Sequence, residues 1–123
     1  MSRRLLVAAL LLAAACSPQA SSDAGYVLRE GAIDGPNSLA VTSSEVLRVS
    51  NTGEYSHTLV VTDDQGQVRA ATGLVESGTA TTLEVDLGPG TYVFSCRIVA
   101  EDDEGNLIDH YEQGMHRMVT VQS

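Results

Sequence analysis

Lysine is absent from this 123-residue chain, and cations of any kind are few: seven arginines face sixteen aspartates and glutamates, for a formal charge of −9. A chain so poor in basic side chains cannot neutralise phosphates, which excludes nonspecific nucleic-acid binding. From residue 26 onward there is little helical periodicity, which argues against a helical bundle. The apolar run Leu5 to Ala15 is shorter than the about 20 residues a membrane-spanning helix needs. Cysteine occurs only at Cys16 and Cys96, too sparsely for the disulfide framework common in small exported domains. There is no internal repeat and no low-complexity tract, and the length suits a single domain.

The N-terminus has its own pattern. Arg3 and Arg4 precede the apolar run, and Ala13-Ala14-Ala15 stands directly before Cys16. A basic n-region, a short h-region and small residues at the junction make a signal peptide of residues 1–15. Small residues immediately before a cysteine resemble the lipobox of bacterial lipoproteins, which implies lipidation of Cys16. Residues 17–25, small and polar, read as a flexible tether, so residues 16–25 link the lipid to a folded domain over residues 26–123. The expected location is extracytoplasmic, at the periplasm or cell surface, anchored to a membrane through the lipid. With the signal removed, five arginines remain against sixteen acidic residues, a net of −11. That balance favours steering toward a basic partner.

Short β-branched runs punctuated by turn residues predict an all-β sandwich or barrel of about seven or eight strands. Strands are expected over residues 26–30, 39–41, 45–50, 57–62, 81–87, 92–96 and 117–121, with residues 68–71 a further short candidate. In the run Glu45-Val-Leu-Arg-Val-Ser50, Leu47 and Val49 share one face. In Thr81-Thr-Leu-Glu-Val-Asp-Leu87, the face is Leu83, Val85 and Leu87. Turns are expected at residues 34–37, 51–53, 63–66 and 88–90.

Four chemically distinctive residues fall at strand ends or in one loop. His57 opens a strand, Cys96 closes another, and His110 and Met115 precede the last. Rigid strands aim such groups into loops at one rim of a sandwich. Two imidazoles, a thiolate and a thioether are soft or borderline donors that suit copper better than calcium or magnesium. A trigonal set of two His and one Cys with a weak axial Met is the blue-copper arrangement. If Cys16 carries lipid, Cys96 has no partner in the chain. It is then a buried small hydrophobe, an accident, or a thiolate in use.

Three segments, in order, resemble those of the cupredoxins, the plastocyanin- and azurin-like blue copper proteins. Val49-Ser-Asn51-Thr-Gly-Glu-Tyr-Ser-His57 resembles their first ligand segment, and Pro89-Gly-Thr-Tyr-Val-Phe-Ser-Cys96 their second. His110-Tyr-Glu-Gln-Gly-Met115, followed by Val119-Thr-Val121, resembles the third. The resemblance implies a Greek-key sandwich of eight strands, one type 1 copper per chain and single-electron transfer. Its implied ligands are His57, Cys96 and His110, with Met115 axial.

Two departures stand out. Residues 97–109 separate Cys96 from His110, a longer loop than the family uses. Ile98-Val99 and Leu107-Ile108 around Glu101-Asp-Asp-Glu-Gly-Asn106 predict a β-hairpin that would return His110 to Cys96. Thr58 stands where the family often has Asn, so its hydroxyl is expected to tie the ligand loops together. His116-Arg-Met118 is similar to the His-x-Met of periplasmic copper chaperones of related fold, but the upstream Met residues of those chaperones are missing. Both residues are expected on the surface.

The expected function is therefore a monomeric, membrane-tethered electron carrier that is not itself an enzyme. Its partner would be a cytochrome, an oxidase or a copper reductase. The acidic stretch Glu101 to Glu104 would guide docking to a basic patch, and rising ionic strength would slow the encounter. The main alternative is a copper chaperone, scavenger or sensor using the same ligands. A Cys96 nucleophile with a His57 or His110 base is the minimal enzymatic kit, but no oxyanion-hole motif accompanies it and Met115 would have no role. An interaction module without metal would leave the four residues apart in space.

Overall fold

A computed structural model of the chain describes residues 25–40 and 45–122. The signal peptide, Cys16 and its tether up to residue 24, and the last residue of the strand expected over 39–41, lie outside the described residues. Eleven strands are present among the described residues: β1 (Gly25–Arg29), β2 (Ala32–Asp34), β3 (Ser38–Ala40), β4 (Glu45–Asn51), β5 (Val60–Thr62), β6 (Val68–Ala71), β7 (Ala80–Val85), β8 (Gly90–Ser95), β9 (Val99–Glu101), β10 (Leu107–Asp109) and β11 (His116–Gln122). One sheet has the order β2-β1-β4-β7 and the other β3-β11-β8-β5-β6, while β9 and β10 form a separate two-stranded hairpin. The chain passes repeatedly between the two main sheets. β1 therefore lies parallel to β4, and β3 parallel to β11, within otherwise antiparallel pairings. This is an all-β sandwich, as the patterning allows, with the Greek-key arrangement that the resemblance implies.

The strands form where alternation demands them. Leu47, Val49, Leu83 and Val85 point inward from one sheet, and Tyr92, Phe94, Val119 and Val121 from the other. Each strand has period two, so one face supplies the core and the other meets water. Tyr26 and Phe94 join the sheets, their rings 4.9 Å apart and inclined at 51°, within the range of a favourable aromatic pair.

Three details differ from the sequence expectation. The strand count exceeds eight because β2 and the β9–β10 hairpin add short elements. β2 is three residues long, too short for alternation to show. A further turn at Glu30 and Gly31 (φ +78°) precedes the one expected at residues 34–37, which joins β2 to β3. The strand expected from residue 57 begins at Val60, and His57 makes only an isolated bridge to Val75.

Tyr26 buries its ring and donates its hydroxyl to the Pro36 carbonyl at 2.9 Å. Burial, opposed by Arg117 and assisted by Glu45, raises its pKa from 10.0 to about 12. A pKa raised on folding contributes stability that is complete below pH 10 and lost as pH rises toward 12. Denaturant unfolding of the wild type and of Tyr26→Phe between pH 8 and 12 checks this. The variant is expected to be slightly weaker at pH 8 and to lose less stability above pH 10.

Candidate metal centre

The candidate residues converge at one end of the sandwich. Strands β8 and β11 are antiparallel neighbours with Ser95 opposite His116. Cys96 and Met115, one step beyond this pair, are joined by the Cys96 N–H donating to the Met115 carbonyl at 3.0 Å. The Met115 N–H donates to the His110 carbonyl at 3.1 Å, and the His110 N–H to the Ile98 carbonyl at 3.0 Å. The expected hairpin is therefore real: β9 and β10 pair Val99 with Asp109 and return the chain to Cys96. Across the site, His57 is clamped by reciprocal backbone hydrogen bonds with Val75, at 3.1 and 2.7 Å.

All four side chains are buried, Cys96 as a free thiol. Nδ1 of His57 lies 3.2 Å from Nδ1 of His110, and Sγ of Cys96 lies 3.5 Å from the latter. One donor atom from each of the three residues falls within 4.8 Å of the others. Donors bound to one first-row ion at about 2.0–2.3 Å stand roughly 3–4 Å apart, so these spacings fit a single ion. Burial, with the His57 ring beside it, holds the His110 imidazole below its ordinary pKa; Glu30 and Asp109 oppose this less strongly. A neutral ring has a lone pair to offer. Met115 shares a cavity of about 300 Å³ with His57 and His110, beneath the β9–β10 hairpin.

Supporting groups fix these side chains. The Thr58 N–H and hydroxyl both point to the Cys96 sulfur, at 3.4 and 3.6 Å, and the Thr58 hydroxyl accepts the Arg97 N–H at 3.4 Å. This is the linking role expected of Thr58. Asn51, buried at the end of β4, was legible only as a turn residue. Its amide donates to the Tyr55 and Val75 carbonyls, both at 2.8 Å, and its carbonyl oxygen accepts the Gly53 N–H at 2.8 Å. Val75 is the residue that clamps His57, so Asn51 braces the imidazole from behind.

Glu30 is the site residue that the sequence did not disclose. From the tip of the β1–β2 hairpin its carboxylate meets Nε2 of His57 at 2.9 Å and accepts the N–H groups of Glu54 and Tyr55. Burial alone would raise its pKa. The hydrogen bonds from Glu54, His57 and Tyr55 outweigh it and lower the pKa from 4.5 to about 2. Nothing local in the sequence marks this contact, because the partners are 27 residues apart.

His116 and Met118 are exposed, as expected, and neither is in the cluster. His116 stacks on Tyr111 with ring centroids 4.3 Å apart, and the Arg97 guanidinium lies 4.5 Å from the same ring. Arg97, Tyr111 and His116 each directly follow one of Cys96, His110 and Met115. The stack therefore binds the three segments together on the outside.

No protein-family model matches the sequence, and a comparison with curated proteins returns no match. Solved structures do match. An azurin from the obligate methylotroph Methylomonas sp. strain J superposes with a TM-score of 0.65 at 12% identity, covering 85% of this chain and 100% of the azurin. Auracyanin from the photosynthetic bacterium Roseiflexus castenholzii gives 0.64 at 23% identity, with coverage of 85% and 100%. Rusticyanin from Thiobacillus ferrooxidans gives 0.58 at 15% identity, covering 84% of this chain and 79% of rusticyanin. The fold is that of the cupredoxin β-sandwiches. Within that fold, this chain gathers two histidines and a cysteine into one buried cluster capable of holding a metal ion.

Proposed function

We propose that the protein is a blue copper electron carrier. His57, Cys96 and His110 would hold one copper ion, with Met115 beside them as a further, weaker donor. The observation that carries this reading is the convergence of His57 Nδ1, His110 Nδ1 and Cys96 Sγ within 4.8 Å, all three buried. Soft thiolate and imidazole donors in a trigonal set with a thioether select copper. The bound copper would supply a one-electron redox couple. The chain's part is to keep the donors still through the Val75 clamp, the Thr58 contacts to sulfur and the backbone ties among Cys96, His110 and Met115.

Burial also bears on the alternative of a chaperone or scavenger. Handing copper to an acceptor needs ligands that the acceptor can reach, whereas the donor residues here are buried and braced by backbone hydrogen bonds. The cupredoxin-fold proteins it superposes on include azurin and auracyanin. The remaining reading is a lipid anchor at Cys16, a location outside the cytoplasm and a redox partner with a basic face. Glu101 to Glu104 lie on the hairpin beside the centre. Val99 and Leu107 expose apolar surface on the same hairpin. Apolar spots among carboxylates suit a brief, electrostatically steered encounter.

Titration of the protein with Cu(II), followed by visible absorption, tests the reading. An intense blue band saturating at one equivalent is expected. A colourless complex that prefers Cu(I) would favour the chaperone instead, and no binding would leave a metal-free interaction module.

A further inference from the structure

The backbone around Glu30 is shaped to receive its carboxylate. A Cβ on Gly53 would fall 2.4 Å from Glu30 Oε2 and 2.8 Å from Oε1, so a side chain there would displace the carboxylate from this position. At Gly114 (φ +113°), a Cβ would lie 2.5 Å from the Gly31 carbonyl oxygen. The tip of the β1–β2 hairpin thus rests directly on the loop joining His110 to Met115. Two glycines in different segments allow the two close approaches, and two backbone N–H groups then aim at the carboxylate. The third partner is the outer nitrogen of a histidine in the cluster.

A carboxylate at this position only accepts hydrogen bonds. Nε2 of His57 therefore carries the ring proton. The Nδ1 lone pair is left facing His110 and Cys96. We propose that Glu30 is a positioning residue of the metal centre: it fixes His57 as the Nε2–H tautomer and, through its negative charge, stabilises the oxidised over the reduced metal. The first part stands on the geometry alone, and the second rests on the copper reading. The physical basis is that a carboxylate bonded to the outer nitrogen orients an imidazole ligand and raises its basicity. A more basic ligand with an anion behind it favours the higher charge on the ion. The proposal accounts for features that otherwise have no purpose: an acidic side chain half-exposed to water at one edge yet bonded to a fully buried imidazole, and a glycine cradle around it.

Glu30→Gln and Glu30→Ala separate orientation from charge. The Gln carbonyl oxygen can take the place of Oε2 and still accept the His57 proton, without the charge. Ala removes both. Long-range ¹⁵N–¹H spectra of the copper-free protein are expected to show His57 as a single Nε2–H tautomer in the wild type and in Glu30→Gln, and as a mixture in Glu30→Ala. With copper, Glu30→Gln is expected to keep the blue spectrum and raise the reduction potential. Glu30→Ala is expected to bind Cu(II) about 10–100-fold more weakly. Each tenfold loss of Cu(II) over Cu(I) affinity raises a one-electron potential by about 59 mV. A single Nε2–H tautomer in Glu30→Ala would overturn the orienting role. An unchanged or lowered potential in Glu30→Gln would overturn the charge effect. If the wild type binds no copper, the electron-carrier reading fails, and the copper-free spectra still decide the orienting role.

Discussion

Cys96→Ser is expected to abolish the blue absorption of the copper-loaded protein while leaving its fold in place. The colour of a blue copper site comes from charge transfer out of a thiolate, and Cys96 is the sole sulfur anion the cluster can provide. Serine differs by one atom. Its Oγ can accept from the Thr58 N–H that now points at Sγ, so the buried position keeps a satisfied polar group. The stability change should therefore be small, on the order of 1 kcal/mol. Visible spectra and denaturant unfolding of the two proteins give both readouts. A band that survived in the variant would place copper elsewhere and remove the basis for the electron-carrier reading. Complete loss of colour with an intact fold ties the chemistry to that one atom.

Asn51→Ala is expected to have the largest effect on stability of any single change around the site. The Asn51 side chain makes three hydrogen bonds, to the carbonyls of Tyr55 and Val75 and from the N–H of Gly53. Alanine replaces none of them, and a buried polar group left without a partner costs about 1–3 kcal/mol. A combined loss of about 3–5 kcal/mol is expected, a large share of the roughly 5–15 kcal/mol that stabilises a domain. Asn51→Asp is expected to fare no better. A carboxylate keeps the Gly53 contact but turns negative oxygen toward two carbonyls. Because Val75 also clamps His57, both variants should bind copper more weakly as well as unfold earlier. Denaturant midpoints with and without the metal measure the two effects. An unfolding free energy within about 0.5 kcal/mol of wild type would show that the loop is held by other contacts.

How far the site was legible follows from how local its signals are. Leu47, Val49, Leu83 and Val85 announce their strands because burial imposes period two on consecutive residues. Cys96 and Met115 could be placed together because both flank strong strands that prove to be neighbours. The hairpin of residues 99–109 was legible because apolar pairs bracket a polar turn. Glu30 was not. Its role depends on the absence of side chains at Gly53 and Gly114 and on a partner 27 residues away. Asn51 was half-legible: its place in a turn showed, but not the reach of its amide to Val75, 24 residues on. Residues that act through distant backbone leave little trace in a pattern of neighbours.

The hairpin between Cys96 and His110 has a wider consequence. Its tip is closed by Asp102, whose carboxylate accepts the N–H groups of Glu104 and Asn106, with Gly105 in the left-handed region. Asp63, Gln65, Gly66 and Gln67 close the β5–β6 hairpin in the same way. The base of the β9–β10 hairpin is closed by the hydrogen bond from the His110 N–H to the Ile98 carbonyl. An excursion sealed at both ends behaves as a cassette. Its length and its outward-facing side chains can change without transmitting strain to the donor atoms beneath. If the centre carries electrons as proposed, the chain separates two demands, a centre that must stay fixed and a face that must suit a partner, and would let the second be rewritten while the first is preserved.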